Sequence, residues 1–471
     1  MERFELLMLL YQGAMVLWAA AFGGCVGSLI NVLAYRMPLG LSVVSPPSRC
    51  PKCDTKLAWN DNVPVLGWLW LKGKCRYCKD PISFEYPAVE LFVAMLFALL
   101  YTLWYVVPED ASLLGIAIGE IRPEWATNDI GKVWPGDTFP EFLVLLALFG
   151  SLVAMTIIDA RTYTIPLVLA WVPTVVGIVV HTGHAAYLEL IADDLWRSRA
   201  VFQSWAIATP WTDAGRGGPS AQLGWWWIGA SLGGAVGVGL SAFLLRLGAL
   251  KHSFADYEEW EAKAIAEAKA AIPAPDAEGG GDGGDDLASD PHLWIQYPHA
   301  RREMFREIAY LAPIIALGSA GGWLAHRLAG PWSYDPGLLD TIPAVGAAPL
   351  WLTVLSGTLM GYLIGGGVIW AVRILGSLAA GKEAMGLGDV HLLAAIGACL
   401  GWIDAVLTFF VACFVGAIWG VAAIPLKGKL ARALPFGPYL AVGALVVVLG
   451  KPLVEQGLTL LLRSEMPIDL P

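Results

Sequence analysis

The chain has 471 residues, of which 57% are hydrophobic and 15% charged, and its mean hydropathy is +0.61. A soluble protein carries about 25% charged residues, so this composition excludes an ordinary soluble domain and fits a polytopic membrane protein. The net charge of −10 owes much to one acidic stretch, 256–290, and no basic footprint of the kind that binds nucleic acid is present.

Apolar runs predict spans at 9–35, 87–107, 139–158, 165–182, 223–249, 307–326, 349–377, 389–402, 404–425 and 435–455. The expected fold is therefore all-α, with about eight to ten transmembrane helices. The first run follows Arg3, is too long for the apolar core of a signal peptide, and reads as a retained helix. The run 389–402 falls short of the ~20 residues a crossing needs; it is either half-inserted or continuous with the next run. The three tryptophans Trp225, Trp226 and Trp227 stand at a span boundary, where aromatic side chains anchor in the headgroup layer.

Orientation follows from the lysines and arginines of the loops. Loop 36–86 carries eight of them, and loops 250–306 and 426–434 have three each beside a span. Strict alternation puts these loops, with 159–164 and 378–388, on the cytoplasmic face and both termini outside. Loop 183–222, with three arginines, fits this scheme less well. The insertion 250–306 divides into a helix-forming half, 256–271, expected to prolong the preceding span, and a Pro/Gly/acid-rich half, 273–290, expected to be a linker. The resulting parts are 1–44, the first span; 45–86, a small cysteine domain between the first and second spans; 87–249, spans carrying the first key aspartate; 250–306, the acidic cytoplasmic insertion; and 307–471, the remaining spans.

Cys50, Cys53, Cys75 and Cys78 form two C-x-x-C pairs, whereas Cys25, Cys399 and Cys413 lie in apolar runs. Two such turns supply the four thiolates of a closed tetrahedral metal shell, which suits structural zinc and argues against zinc catalysis. The loop is too small for a core of its own, so a metal would provide its folding energy. A redox pair or disulfides are the alternative, and an odd cysteine count with two tight pairs fits a reducing compartment better.

Asp159 ends one span and Asp389 begins another on the same inferred face. Carboxylates at membrane depth are costly and rarely decorative. Asp159 has a structural alternative, a helix-end acid paired with Arg161; Asp389 has one too, as a helix N-cap. If the two meet, they cannot both ionise cheaply, and one proton shared between two carboxylates is what an aspartic protease requires. His391, two residues beyond Asp389, is placed to tune such a pair or to be a plain polar neighbour. There is no Ser/His/Asp order, no HExxH and no phosphate loop.

The motifs GSLINVLAYRMP (27–38), SRCPKC (48–53), NVPVLGWL (62–69), GKCRYC (73–78), PISFEYPAVE (81–90), ID-x5-IP (158–166), GLGDVHLL (386–393) and PFGPYLA (435–441) occur in one order. That order resembles the bacterial type IV prepilin peptidases, which are leader peptidase/N-methyltransferases of the GxGD aspartic class. The resemblance implies a multi-pass protein of the bacterial inner membrane with its active site and zinc domain facing the cytoplasm. It implies prepilin or pseudopilin precursors as substrates, in type IV pilus or type II secretion systems. It also implies Asp159 and Asp389 as the catalytic pair, Cys50, Cys53, Cys75 and Cys78 as Zn2+ ligands, and S-adenosylmethionine as methyl donor. Asn31, Arg36 and Glu90 are polar residues of family-like segments and candidates for the methyl-donor site; topology signal and helix-end capping explain them equally well. The sequence departs from the family at His391, usually a basic residue, at Leu167, and in its greater length. A peptidase without methyltransferase activity, or a zinc-stabilised scaffold or transporter, are the other readings.

Overall fold

The computed structural model describes residues 2–108, 110–113, 116–118, 135–191, 207, 224–271, 297–330, 348–423 and 435–463. Among them the fold is helical. Helices α1 (Glu2–Arg36), α2 (Leu66–Trp70), α3 (Glu85–Tyr101), α4 (Pro135–Thr162), α5 (Leu167–Ile191) and α6 (Gly224–Arg246) are followed by α7 (Tyr257–Ala271), α8 (Ala300–Ala329) and α9 (Leu350–Ala380). Then come α10 (Leu387–Leu400), α11 (Trp402–Ala423), α12 (Phe436–Leu449) and α13 (Lys451–Leu462). The described strands are a two-residue pairing, Ser112–Leu113 against Ile116–Ala117. Eight described helices are long and apolar enough to cross a membrane, in accord with the expected fold class.

Helices in lipid gain nothing from burying one apolar face against another, so close packing of small residues draws them together. Gly23 and Gly27 of α1 show this: a Cβ at Gly27 would stand 2.6 Å from the Glu90 Cα of α3. Gly229, Gly233 and Gly237 of α6 do the same against α8, where a Cβ at Gly229 would meet the Gly321 carbonyl at 2.2 Å.

Helix α10 resolves the ambiguity of the short run. It has 14 residues and ends at Gly401, whose φ of +94° turns the chain into α11. Its neighbours are α4, α5, α9, α11 and α12, and every residue from Leu392 to Leu400 is buried. A helix enclosed by protein is apolar all round for that reason, and it need not span lipid. Glycines again set the spacing, with Gly361 and Gly397 each facing the other's carbonyl at 2.0 Å from a built Cβ.

Two expectations need correction. The helix over 256–271 does not prolong the span before it. The chain leaves α6 at Arg246 and turns through Gly248, at φ +73°, before α7 starts at Tyr257. Its sequence favours helix, but the glycine breaks continuity. The final run is likewise broken: α12 and α13 are bent by 91° at Gly450, next to Pro452, which lacks the N–H a continuous helix would need. The linker 273–290 lies outside the described residues. The tryptophans sit at the start of α6 as expected, but Trp227 also stacks on Trp402 at 6.3 Å between ring centroids, and Trp226 packs against Gly322.

Candidate active site and cysteine cluster

Three segments distant in sequence converge at one end of the helical core. The first is the end of α4, where Asp159 precedes a tight turn: the Tyr163 N–H donates to the Asp159 carbonyl at 2.9 Å, with Tyr163 at φ +54°. Ile165 and Pro166 follow, and proline keeps the preceding residue extended, so Ile165 reaches across to its neighbours. The second segment is the start of α10, where Gly386 is the N-cap and Asp389 lies in the first turn, so Asp389 is not the cap itself. The third is the start of α12 at Gly437.

Glycines make the convergence possible. A Cβ at Gly388 would stand 2.9 Å from the Ile165 Cβ, and one at Gly437 would stand 2.5 Å from Asp159 Oδ2 and 3.3 Å from Ile165 Cδ1. Gly386 faces Asp389 Oδ2 at 3.4 Å in the same sense. Any side chain at 388 or 437 would push into the aspartates' surroundings.

The two aspartates are brought together. Asp159 is 4% and Asp389 7% exposed, and each lies within electrostatic reach of the other. Among the described residues neither forms a salt bridge, and Asp159 Oδ2 is buried without a hydrogen-bond partner. Arg161, the expected partner in the structural alternative, instead forms an ion pair with Glu85 of α3. His391 packs on Trp171, with ring centroids 6.4 Å apart.

The four cysteines also assemble. Their sulfurs all lie within 4.8 Å of one another, and Cys50 and Cys78 Sγ are 3.8 Å apart. Zinc–sulfur bonds of about 2.3 Å in a tetrahedron place sulfurs about 3.8 Å apart, so the donors fit a four-thiolate metal site. The two halves are built alike. Cys50 N–H donates to Thr55 O at 3.1 Å and Asp54 N–H to Cys50 O at 2.9 Å; Cys75 N–H donates to Asp80 O at 2.8 Å and Lys79 N–H to Cys75 O at 3.1 Å. The residue after each second cysteine, Asp54 and Lys79, has positive φ, +50° and +65°. Arg76 is held by Asp61 at 2.6 Å.

Asn31, Arg36 and Glu90 lie at the junction of this loop with α1 and α3. Asn31 Nδ2 donates to Tyr86 O at 3.0 Å, Arg36 Nη1 to Ser42 O at 3.1 Å, and the Val65 N–H donates to Glu90 Oε2 at 2.6 Å. Val65 has φ +59°, an uncommon conformation for a β-branched residue. Each of the three polar side chains thus already holds a backbone group.

Sequence reasoning missed Gly437 and Ile165 as parts of the site's frame. The motif PFGPYLA was visible, but nothing local says that its glycine faces an aspartate some 280 residues earlier in the chain.

The fold and the convergent carboxylates define a multi-pass membrane protein with two buried acids and, separately, a cluster of four thiols. Residues 21–104 match the bacterial peptidase A24 N-terminal domain, and residues 338–421 match the type IV leader peptidase family. The chain is similar to that family over these two segments. Cys50 to Cys78 lie in the first match and Asp389 in the second, while Asp159 lies between them. Similar relatives include a prepilin leader peptidase/N-methyltransferase of Myxococcus xanthus, 53% identical over 75 residues, which cover 16% of this chain and 22% of that one. A type 4 prepilin-like proteins leader peptide-processing enzyme of Escherichia coli is 32% identical over 177 residues, covering 32% of this chain and 64% of that one. A prepilin leader peptidase/N-methyltransferase of Aeromonas salmonicida is 22% identical over 455 residues, covering 91% of this chain and 88% of that one. The chain thus spans less than two thirds of the length of the first two of these relatives. No solved structure matches it.

Proposed function

We propose that the protein is a membrane-embedded aspartic endopeptidase that removes the leader of type IV prepilins or pseudopilins at the cytoplasmic face of the bacterial inner membrane. The observation that carries this reading is the meeting of Asp159 and Asp389, both buried, with no salt bridge to either among the described residues. In the mechanism this supports, the deprotonated carboxylate takes a proton from water as the water oxygen attacks the scissile carbonyl. The other carboxyl gives its proton to the carbonyl oxygen; the first then passes its proton to the amine nitrogen as the C–N bond breaks, and the second recovers one from a hydroxyl of the gem-diol. No covalent intermediate is needed, and the glycines at 388 and 437 let the three segments close around the pair.

Zinc bound by Cys50, Cys53, Cys75 and Cys78 would fold the 45–86 loop, with a closed shell that has no open position for chemistry. Methylation of the newly exposed N-terminus with S-adenosylmethionine is the second activity, supported by the relatives' names. Asn31, Arg36 and Glu90 fit a supporting role better than a donor pocket, because their polar ends already hold backbone groups. Methyl transfer is therefore assigned no residues.

Co-expression with a pilin-type precursor tests the reading by mass spectrometry. The wild type should release the leader, and the product should gain the mass of one methyl group. Asp159→Asn and Asp389→Asn should each leave the precursor intact. Cleavage by either variant would remove the paired-carboxylate mechanism; no cleavage by the wild type would bring the scaffold or transporter readings forward.

A further inference from the structure

The segment that delivers Asp389 is tied down by one side chain outside the aspartate motifs. Arg373 of α9 is 2% exposed, and it holds three groups. Its Nε and Nη2 donate to Glu307 of α8 at 3.0 to 3.1 Å. Its Nη1 donates to Glu383 at 2.5 Å and also to the Met385 carbonyl. The last two contacts lie directly ahead of Gly386, where α10 begins. A further tie joins the same turn to α9, with the Ala384 N–H donating to Ser377 Oγ at 3.0 Å. Glu307 is itself fixed by the Trp370 indole at 2.8 Å, and the Phe254 ring lies 5.2 Å from the Arg373 guanidinium.

We propose that Arg373 is the positioning residue of the aspartate pair: it pins Glu383 and the Met385 carbonyl so that Gly386 to Asp389 start α10 in a fixed place. This rests on the peptidase reading above. The planar guanidinium suits the task because it donates in several fixed directions at once. A countercharge for Glu307 alone would need the bonds to that carboxylate but not the pair reaching 383 and 385. The Phe254 contact carries the arrangement to the root of the 250–306 insertion, where Phe254 N–H donates to buried Glu303 at 2.8 Å.

Removing Arg373 alone would strand the buried Glu307 carboxylate and confound unfolding with misplacement. The informative variant is the double change Arg373→Met with Glu307→Gln. It removes both buried charges, leaves the indole an acceptor, and leaves Glu383, 39% exposed, to solvent. Purified protein in lipid nanodiscs is assayed on a pilin-type precursor for kcat and KM, and followed separately by hydrogen exchange of 381–388. The expected result is thermal stability close to wild type and a KM within about twofold. Catalytic turnover should fall about 10- to 100-fold, the scale of a misplaced reacting group, and exchange at 381–388 should quicken. Arg373→Lys with Glu307 intact should keep the fold and recover only part of the turnover.

Wild-type turnover in the double variant, or unchanged exchange at 381–388, overturns the proposal. Exchange is independent of substrate, so a wild-type protein that cuts no precursor would fault the peptidase reading, while the exchange result would still decide whether Arg373 pins the segment.

Discussion

Two sets of buried acids stand near the same end of the bundle, and they are treated in opposite ways. Glu303 and Glu307 of α8 are fully supplied with arginines, Glu303 by Arg302 and Arg306 at 2.8 and 2.7 Å and Glu307 by Arg373 at 3.0 Å. Asp159 and Asp389 are also buried, yet among the described residues neither has a cation within ion-pair distance; Asp389 feels Asp159 and, from beyond ion-pair distance, Arg373. A buried acid given its countercharge ties helices together. A buried acid with no ion-pair partner can change its protonation state more easily, which is the property the proposed catalytic pair requires.

The largest predicted effect separates the two sets. Asparagine at 159 or 389 should lower cleavage by at least about a thousandfold, the scale of lost acid–base catalysis, and should leave stability unchanged or slightly higher, since a neutral amide costs less to bury than a carboxylate. Glu307→Gln should behave in the reverse sense, costing about 3 kcal/mol of stability as an orphaned partner does. Detergent-unfolding curves beside turnover measure both. A variant from either set that showed the other's pattern would break the comparison.

Next in size is Gly437→Ala. Its Cβ would overlap the Asp159 carboxylate at 2.5 Å, so turnover should fall about a hundredfold with the fold intact, as a displacement of about 1 Å can do. Turnover at the wild-type rate would show that α12 does not bound the site.

Cys50→Ser should abolish bound zinc, one ion per chain by metal analysis, and expose 45–86 to proteolysis while the spans remain folded. The physical reason is that the cysteine loop would draw its folding energy from the metal, whereas the aspartate site draws its own from helix packing. Loss of zinc with no change in proteolysis would deny the metal a structural role.

The smallest effect concerns the insertion's root. The Tyr297 hydroxyl at 2.7 Å, with Arg302 beside it, holds the Asp256 carboxyl below the usual carboxylate range. A depressed value means that the stabilisation is present above the unfolded-state value and is lost as pH falls through the folded one. Asp256→Asn should therefore quicken hydrogen exchange around 254–262 at neutral pH and match the wild type once acid has titrated Asp256. A difference that persisted in acid would place the effect elsewhere.

What the sequence made legible follows from the range of the interactions. The cysteine turns are local, so C-x-x-C spacing foretold the cluster whose sulfurs lie within 4.8 Å. The spans were legible from hydropathy, and the shortness of 389–402 was visible, though its enclosure by five helices was not. Asp159 and Asp389 were legible as a pair only through the inferred common face and the family-like order of motifs. The partner of Arg161 was misplaced by the helix-end alternative, because Glu85 lies 76 residues away along the chain. Gly437 and Arg373 were silent for the same reason: a glycine's neighbour or an arginine's three acceptors are set by tertiary packing, which leaves no periodicity to read.

The most direct test of the account is the binding of a pilin-junction peptide whose scissile amide is replaced by a hydroxyethylene group, an uncleavable mimic of the tetrahedral intermediate. A site that binds the transition state better than the substrate should hold this peptide at least about a hundredfold more tightly than the matching uncut sequence. The account predicts that tight binding in the wild type, and its loss to an equal extent in Asp159→Asn and Asp389→Asn, because both carboxyls must grip the hydroxyl together. Tight binding that survived in either variant would contradict it.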